Sequence, residues 1–167
     1  MEFRRLRKDD DRTRFSCGDD DLDTFFRRYA SQNQFRHQIG VTHVLADGSD
    51  IGAFVSVAAH SLQLPEGARA SLPRYPLPVL LIARLAVSRV HQGQGLGRRL
   101  LRECCTIAEK MSEDLGCVGI ATDAKAHAVT FYERFGFTPL ADVNGRGTRL
   151  YFLPLRHALG AARRESE

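Results

Sequence analysis

The stretch Arg84-Leu-Ala-Val-Ser-Arg-Val-His-Gln-Gly-Gln-Gly-Leu-Gly-Arg98 decides the fold. It reads as the end of a buried strand, a glycine-rich turn and the start of an amphipathic helix. Upstream, Pro78-Val-Leu-Leu-Ile-Ala-Arg-Leu-Ala-Val87 is a run of branched apolar residues bounded by turn signals, which is a strand pattern. Downstream, Leu96, Leu100, Leu101, Cys104, Cys105, Ala108 and Met111 fall mostly three or four apart, which predicts one apolar helix face. Gly93, Gly95 and Gly97 leave backbone N–H groups uncovered by side chains where that helix begins. Unpaired N–H donors and the positive end of a helix dipole then converge on one point, and such a point binds pyrophosphate. Arg98 and Arg99 add full positive charges. The stretch therefore predicts a nucleotide-type cofactor.

Three kinds of turn compete for it. A dinucleotide turn needs G-x-G-x-x-G, but no glycine falls at the sixth position counted from Gly93 or Gly95. A P-loop needs G-K-[ST], and here Arg98 and Arg99 follow Gly97. The third pattern is Gln92-x-x-Gly95-x-Gly97. An ordinary strand-to-helix turn shows such a hexapeptide too, so a second element has to decide. It comes about thirty residues on, as Ala128-Val-Thr-Phe-Tyr-Glu-Arg-Phe-Gly-Phe137. This reads as a short helix closed by Gly136 as its C-cap, with Phe137-Thr-Pro-Leu opening the next strand. Phe131, Phe135 and Phe137 read as core residues in any fold.

With both motifs in order and one strand, Cys117-Val-Gly-Ile-Ala-Thr122, between them, the chain resembles the GNAT N-acetyltransferases. The resemblance implies an α/β GNAT fold: a mixed, mainly antiparallel sheet flanked by helices, as one domain over residues 1–155. It leaves residues 156–167 as a partly disordered tail. It implies acetyl-coenzyme A as acetyl donor, with no metal. Leu85, Ala86 and Val87 would pair with pantetheine, and Gln92, Gly93, Gln94, Gly95, Leu96, Gly97 and Arg98 would hold the pyrophosphate. Tyr132 would protonate the departing sulfur. An unperturbed tyrosine, with a pKa of about 10, is protonated at neutral pH and able to donate.

Composition sets bounds on this reading. A chain of 167 residues with 43% hydrophobic content suits one globular domain. No apolar stretch approaches the ~20 residues of a membrane span, and the N-terminus, Met-Glu-Phe-Arg-Arg-Leu-Arg-Lys, has no signal-peptide core. A cytoplasmic protein is expected. Cys17, Cys104, Cys105 and Cys117 form no C-x-x-C pair, and they read as small apolar residues of a reducing compartment. The net charge is +4. Arginines crowd the start of the chain but alternate there with Asp9, Asp10 and Asp11. The excess serves the cofactor phosphates, a solvated surface or a phosphate backbone.

The remaining layout is a first strand over residues 3–6 and a capped helix over residues 17–32, with Leu22, Phe25, Phe26 and Tyr29 as its apolar face. A hairpin follows, with strands over residues 41–46 and 51–58. Residues 64–77 read as a loop. After the long helix, which runs to about Leu115, come the Cys117 strand, the Tyr132 helix and two more strands, the last including residues 149–153. The tail beyond Pro154 is expected to fray.

The reaction implied is attack of a neutral amine on a thioester. Many GNAT enzymes carry a glutamate base on the strand before the glycine turn, yet residues 78–87 contain no acid and only Arg84 as a charge. At pH 7 an α-amine (pKa near 8) is about 10% neutral and a lysine amine about 0.04%, a gap of roughly 3 kcal/mol. A site without a strong base therefore favours an α-amine. Glu133, Asp123 and His91 remain as other acid–base candidates. Further pieces resemble one GNAT branch, the toxins that acetylate the α-amine of aminoacyl-tRNA. They are Phe15-x-Cys17-Gly18-x-x-x-Leu22-Asp23-x-Phe25 with Ala30-x-Gln32, Leu72-Pro-Arg-Tyr-Pro-x-Pro-Val79, Arg84-Leu-Ala-Val87 and Asp123-Ala-Lys125. That branch implies aminoacyl-tRNA as substrate, a ribbon-helix-helix antitoxin and a homodimer. Arg84, Arg89 and Tyr75 are then the candidates for the acceptor end. The alternatives are a housekeeping acetyltransferase of a small amine or protein N-terminus, and a non-catalytic coenzyme A-binding or antitoxin-binding module.

Overall fold

The computed structural model describes residues 1–64, 66 and 72–163. Its elements run β1 (Glu2–Arg5), α1 (Asp20–Thr24), a π turn (Phe25–Tyr29), α2 (Ala30–Gln32), a second π turn (Asn33–His37), β2 (Val41–Asp47) and β3 (Asp50–Leu62). After these come β4 (Leu77–Val87), a 3-10 turn (Arg89–His91), α3 (Leu96–Asp114), β5 (Gly119–Lys125), a 3-10 turn (Ala126–Ala128) and α4 (Val129–Phe135). The chain closes with β6 (Thr138–Pro139), β7 (Thr148–Pro154) and α5 (Leu155–Arg163). The strands follow the order β1-β2-β3-β4-β5-β7-β6. β4 and β5 are parallel, while β1–β2, β2–β3, β5–β7 and β6–β7 are antiparallel. This is the mixed, mainly antiparallel sheet with helices that the sequence predicts. No helix among the described residues is long and apolar enough to cross a membrane.

The chain divides into two compact units, Met1–Ala58 with Ala83–Glu103, and Ala59–Ile82 with Cys104–Glu167. In the first, β2 and β3 form the expected hairpin. Asp47 pairs with Asp50, which leaves Gly48 and Ser49 as a two-residue turn, and Gly48 takes the left-handed φ of +57° that such a turn demands. The core is aromatic: Phe26 stacks on Phe54 at 4.3 Å, and Phe15 meets both edge-on at 4.8 and 5.4 Å. Each such buried ring contributes roughly 1.5–3 kcal/mol.

The helix opening this unit departs from expectation. Its cap is Asp19, whose side chain accepts from the Asp21 and Leu22 N–H groups. Tyr29, expected on the apolar face, is 49% exposed. The cause is the pair of π turns, which lengthen the repeat beyond 3.6 residues. The inward stripe becomes Leu22, Phe26, Ala30 and Gln34, spaced by four, with Phe25 beside it. Buried Gln34 donates to Leu6 O at 3.1 Å and accepts from Thr42 N–H at 2.9 Å, so its amide is paired.

In the second unit Val79, Ala121, Leu140 and Phe152 cluster with Leu62. A Cβ at Gly119 would collide with Leu153 O and the Phe152 ring, so only glycine lets β5 approach β7 at that point. α5 occupies most of the segment expected to fray: it packs on β5 and β7, and Ala158 is fully buried. An amphipathic stretch, not a polar tail, follows Pro154. Residues 65 and 67–71 of the expected loop, and 164–167 of the tail, lie outside the described residues.

Candidate active site

The glycine turn forms as read. β4 ends at Val87, Ser88 leads into the 3-10 turn, and α3 starts at Leu96. Gly93 and Gly95 have φ of +78° and +79°, the left-handed region that favours glycine. A Cβ placed on either would meet nothing within 4 Å, so the space in front of the turn is open. The helix ladder begins with Arg99 N–H to Gly95 O at 3.0 Å. The N–H groups of residues 93–97 precede that first bond, at the helix start. Leu100, Leu101, Cys104, Cys105 and Ala108 are buried along α3 as its periodicity predicts, with Leu96 and Met111 half-buried.

Within this unit the structure gathers Arg84, Leu85, Ala86, Val87, Arg89 and the residues of the turn. The β4–β5 ladder pairs residues 80–82 with 120–122 and goes no further. Backbone groups of Leu85, Ala86 and Val87 thus lie outside it. Arg84 holds its guanidinium 4.1 Å over the Phe25 ring, where burial lowers its pKa against the pull of Asp21. Gln92 braces the turn from behind: its Nε2 donates to Val87 O at 3.0 Å and to Cys17 O at 2.9 Å. His91 is tied on both sides, Nδ1 to Ser88 Oγ at 2.8 Å and Nε2 to Asp50 Oδ2 at 3.3 Å. That placement fits a supporting residue of the turn.

Tyr132 belongs to the second unit, on α4, which ends as predicted at Gly136 with φ +114°. Its ring is 6% exposed and lies edge-on to Phe131 at 5.1 Å and Phe137 at 5.3 Å. Burial pushes its phenol up to about 12, opposed by a hydrogen bond with Thr122. Thr122 Oγ1 in turn donates to Ile82 O at 3.0 Å. Sequence reasoning missed Thr122, because only the β5 register brings it to the tyrosine. Tyr75 is 65% exposed. Glu133 Oε1 accepts from the Tyr151 hydroxyl at 2.8 Å, and Asp123 is exposed on β5. The cysteines fit the apolar reading: Cys104, Cys105 and Cys117 are buried, and burial pushes the Cys17 and Cys105 thiols up to about 11.

Comparison with known proteins places this geometry. Residues 39–139 match the family described as "Acetyltransferase (GNAT) domain". A curated protein named "tRNA-acetylating toxin", from Mycobacterium tuberculosis (strain ATCC 25618 / H37Rv), is 34% identical over 80% of this chain and 82% of its own length. The solved structure of AtaT complexed with acetyl-methionyl-tRNAfMet superposes with a TM-score of 0.81 at 23% identity, covering 93% of this chain and 95% of that one. A mutant AtaT toxin bound to the C-terminus of the antitoxin AtaR and acetyl-CoA superposes at 0.78 with 24% identity, covering 94% of each chain. At those identities the two structures speak for the fold.

Proposed function

The chain belongs to the GNAT acetyltransferase family, and we propose that it transfers acetyl from acetyl-coenzyme A to the α-amine of aminoacyl-tRNA, blocking translation. The observation that carries the substrate is the 34% identity, over 80% of the chain, to a relative named for acetylating tRNA. The acid-free strand before the turn agrees with it, since an α-amine needs little help to lose its proton. A cytoplasmic site of action and an antitoxin partner of the ribbon-helix-helix class belong to the same reading, as does a homodimer.

The turn fits the donor: left-handed Gly93 and Gly95 present open space before a helix N-terminus. When bound, acetyl-coenzyme A supplies an activated acetyl thioester. We assign its pyrophosphate to the backbone N–H groups of Gly93, Gln94, Gly95, Leu96 and Gly97, with Arg98 flanking and Gln92 holding the turn in shape. Leu85, Ala86 and Val87 are assigned to the pantetheine as an added strand, since their backbone groups lie outside the β4–β5 ladder. Tyr132 is assigned as the acid. Its environment keeps the phenol protonated across the working range, so the hydroxyl retains a proton to donate at Oη. Arg84, Arg89 and Tyr75 are assigned to the acceptor end, where a guanidinium suits phosphate.

Cell-free translation tests the reading. Protein synthesis is expected to stop on adding the protein with acetyl-coenzyme A, and to continue when the donor is omitted or Tyr132→Phe replaces the wild type. Undiminished synthesis with the donor present would contradict the toxin reading and favour a small-molecule or protein amine.

A further inference from the structure

We infer that Asp23 is a positioning residue for the glycine turn, acting through the segment formed by residues 15–18. The inference rests on the reading of that turn as the acetyl-coenzyme A site. It gives a role to Phe15-x-Cys17-Gly18-x-x-x-Leu22-Asp23, a motif the mechanism leaves unused.

Asp23 is 5% exposed, and a buried carboxylate is tolerated only with hydrogen-bond partners. Its Oδ1 accepts from Cys17 N–H at 2.8 Å, and its Oδ2 from the Ser16 hydroxyl at 3.4 Å. One turn along the helix, Arg27 stands 4.0 Å from Oδ2, and its Nε and Nη2 both donate to Phe15 O, the former at 2.9 Å. Asp23 and Arg27 thus grip residues 15–17 from the helix side. From the other side the same residues hold the turn. Ser16 O accepts from Arg89 N–H at 2.8 Å, and Cys17 O accepts from Gln92 Nε2 at 2.9 Å. Gly18 completes the strap with φ +97°, and a Cβ there would press the Arg89 guanidinium at 3.1 Å. Cys17 is the coupling point: Asp23 fixes its N–H, and its carbonyl is one of the two acceptors that orient Gln92. A shift of Cys17 frees one arm of Gln92, and the turn loses the brace that shapes its N–H cradle.

The test is titration of acetyl-coenzyme A by calorimetry into wild type, Asp23→Ala, Gln92→Ala and the double variant, with thermal unfolding alongside. Each single change is expected to weaken binding about fivefold to tenfold, and the double no more than the worse single, as for residues in one network. For Asp23→Ala, kcat at saturating donor stays within about twofold, so KM carries the effect. Asp23→Asn keeps an oxygen for Cys17 N–H and restores affinity. Arg27→Gln, altering a partly exposed side chain, gives the same direction of change if Asp23→Ala does not fold. Wild-type affinity in both Asp23→Ala and Arg27→Gln overturns the inference, as do losses that multiply in the double variant. A wild type that binds no acetyl-coenzyme A removes the reading of the turn itself, and the inference with it.

Discussion

In the proposed reaction Tyr132 carries the acid chemistry in one side chain. The sequence motif points to the residue, but not to its burial or to its bond with Thr122, both of which depend on tertiary packing. Because burial holds the phenol up at about 12, it keeps its proton well past neutrality. The rate should therefore rise as the substrate α-amine deprotonates, with its pKa near 8, and show no fall up to about pH 10. Tyr132→Phe keeps the packing and deletes the donor. Acetyl-coenzyme A affinity should hold within about twofold while turnover falls at least about a hundredfold, as steady-state kinetics would show; unchanged turnover would remove the acid. His43 matters for stability instead. It stacks on Phe3 at 5.0 Å, and burial, with Arg5 adding to it, drives its pKa from 6.5 down to about 4. The folded form keeps the ring neutral while the unfolded chain takes up a proton. This contribution is complete above about pH 6.5 and is lost as pH falls toward 4, up to about 3 kcal/mol in all. His43→Phe should flatten the dependence of Tm on pH across that window, and an equally steep fall in the variant would assign the acid sensitivity elsewhere.

At the scale of elements, the glycine turn was legible because its glycines are obligatory. Only a residue without a Cβ adopts φ near +78° cheaply. Gly95→Ala should cost about 1–2 kcal/mol of stability and weaken acetyl-coenzyme A binding, measured by denaturation and calorimetry on the same sample. Wild-type affinity at reduced stability would make the turn structural only. The first helix was legible in place but not in extent or phase: it begins at Asp20 and runs on through the second π turn to His37. π turns leave no mark in a periodicity of 3.6, so the exposure of Tyr29 and the burial of Ala30 and Gln34 follow from hydrogen bonding that the residue pattern does not encode. α5 is not legible in the sequence because the charged terminus has the composition of a tail, although Ala158 supplies an inward contact.

For the whole molecule, strand identity and order of elements follow from apolar runs and turn residues, and these carried the fold class. The division into two compact units did not, because it depends on which elements touch most. The candidate site was legible where backbone geometry makes it, at residues 85–97, and less so where side chains support it: Thr122, Asp23 and the Cys17 carbonyl have no local signature. The central claim, transfer to the α-amine of charged tRNA, is tested most directly by incubating the protein with labelled acetyl-coenzyme A and a pool of aminoacylated tRNA, beside deacylated tRNA and free amino acids. Label on charged tRNA alone, released as N-acetylated amino acid on mild base treatment, is the predicted result. Label absent from charged tRNA while acetyl-coenzyme A still binds would contradict it.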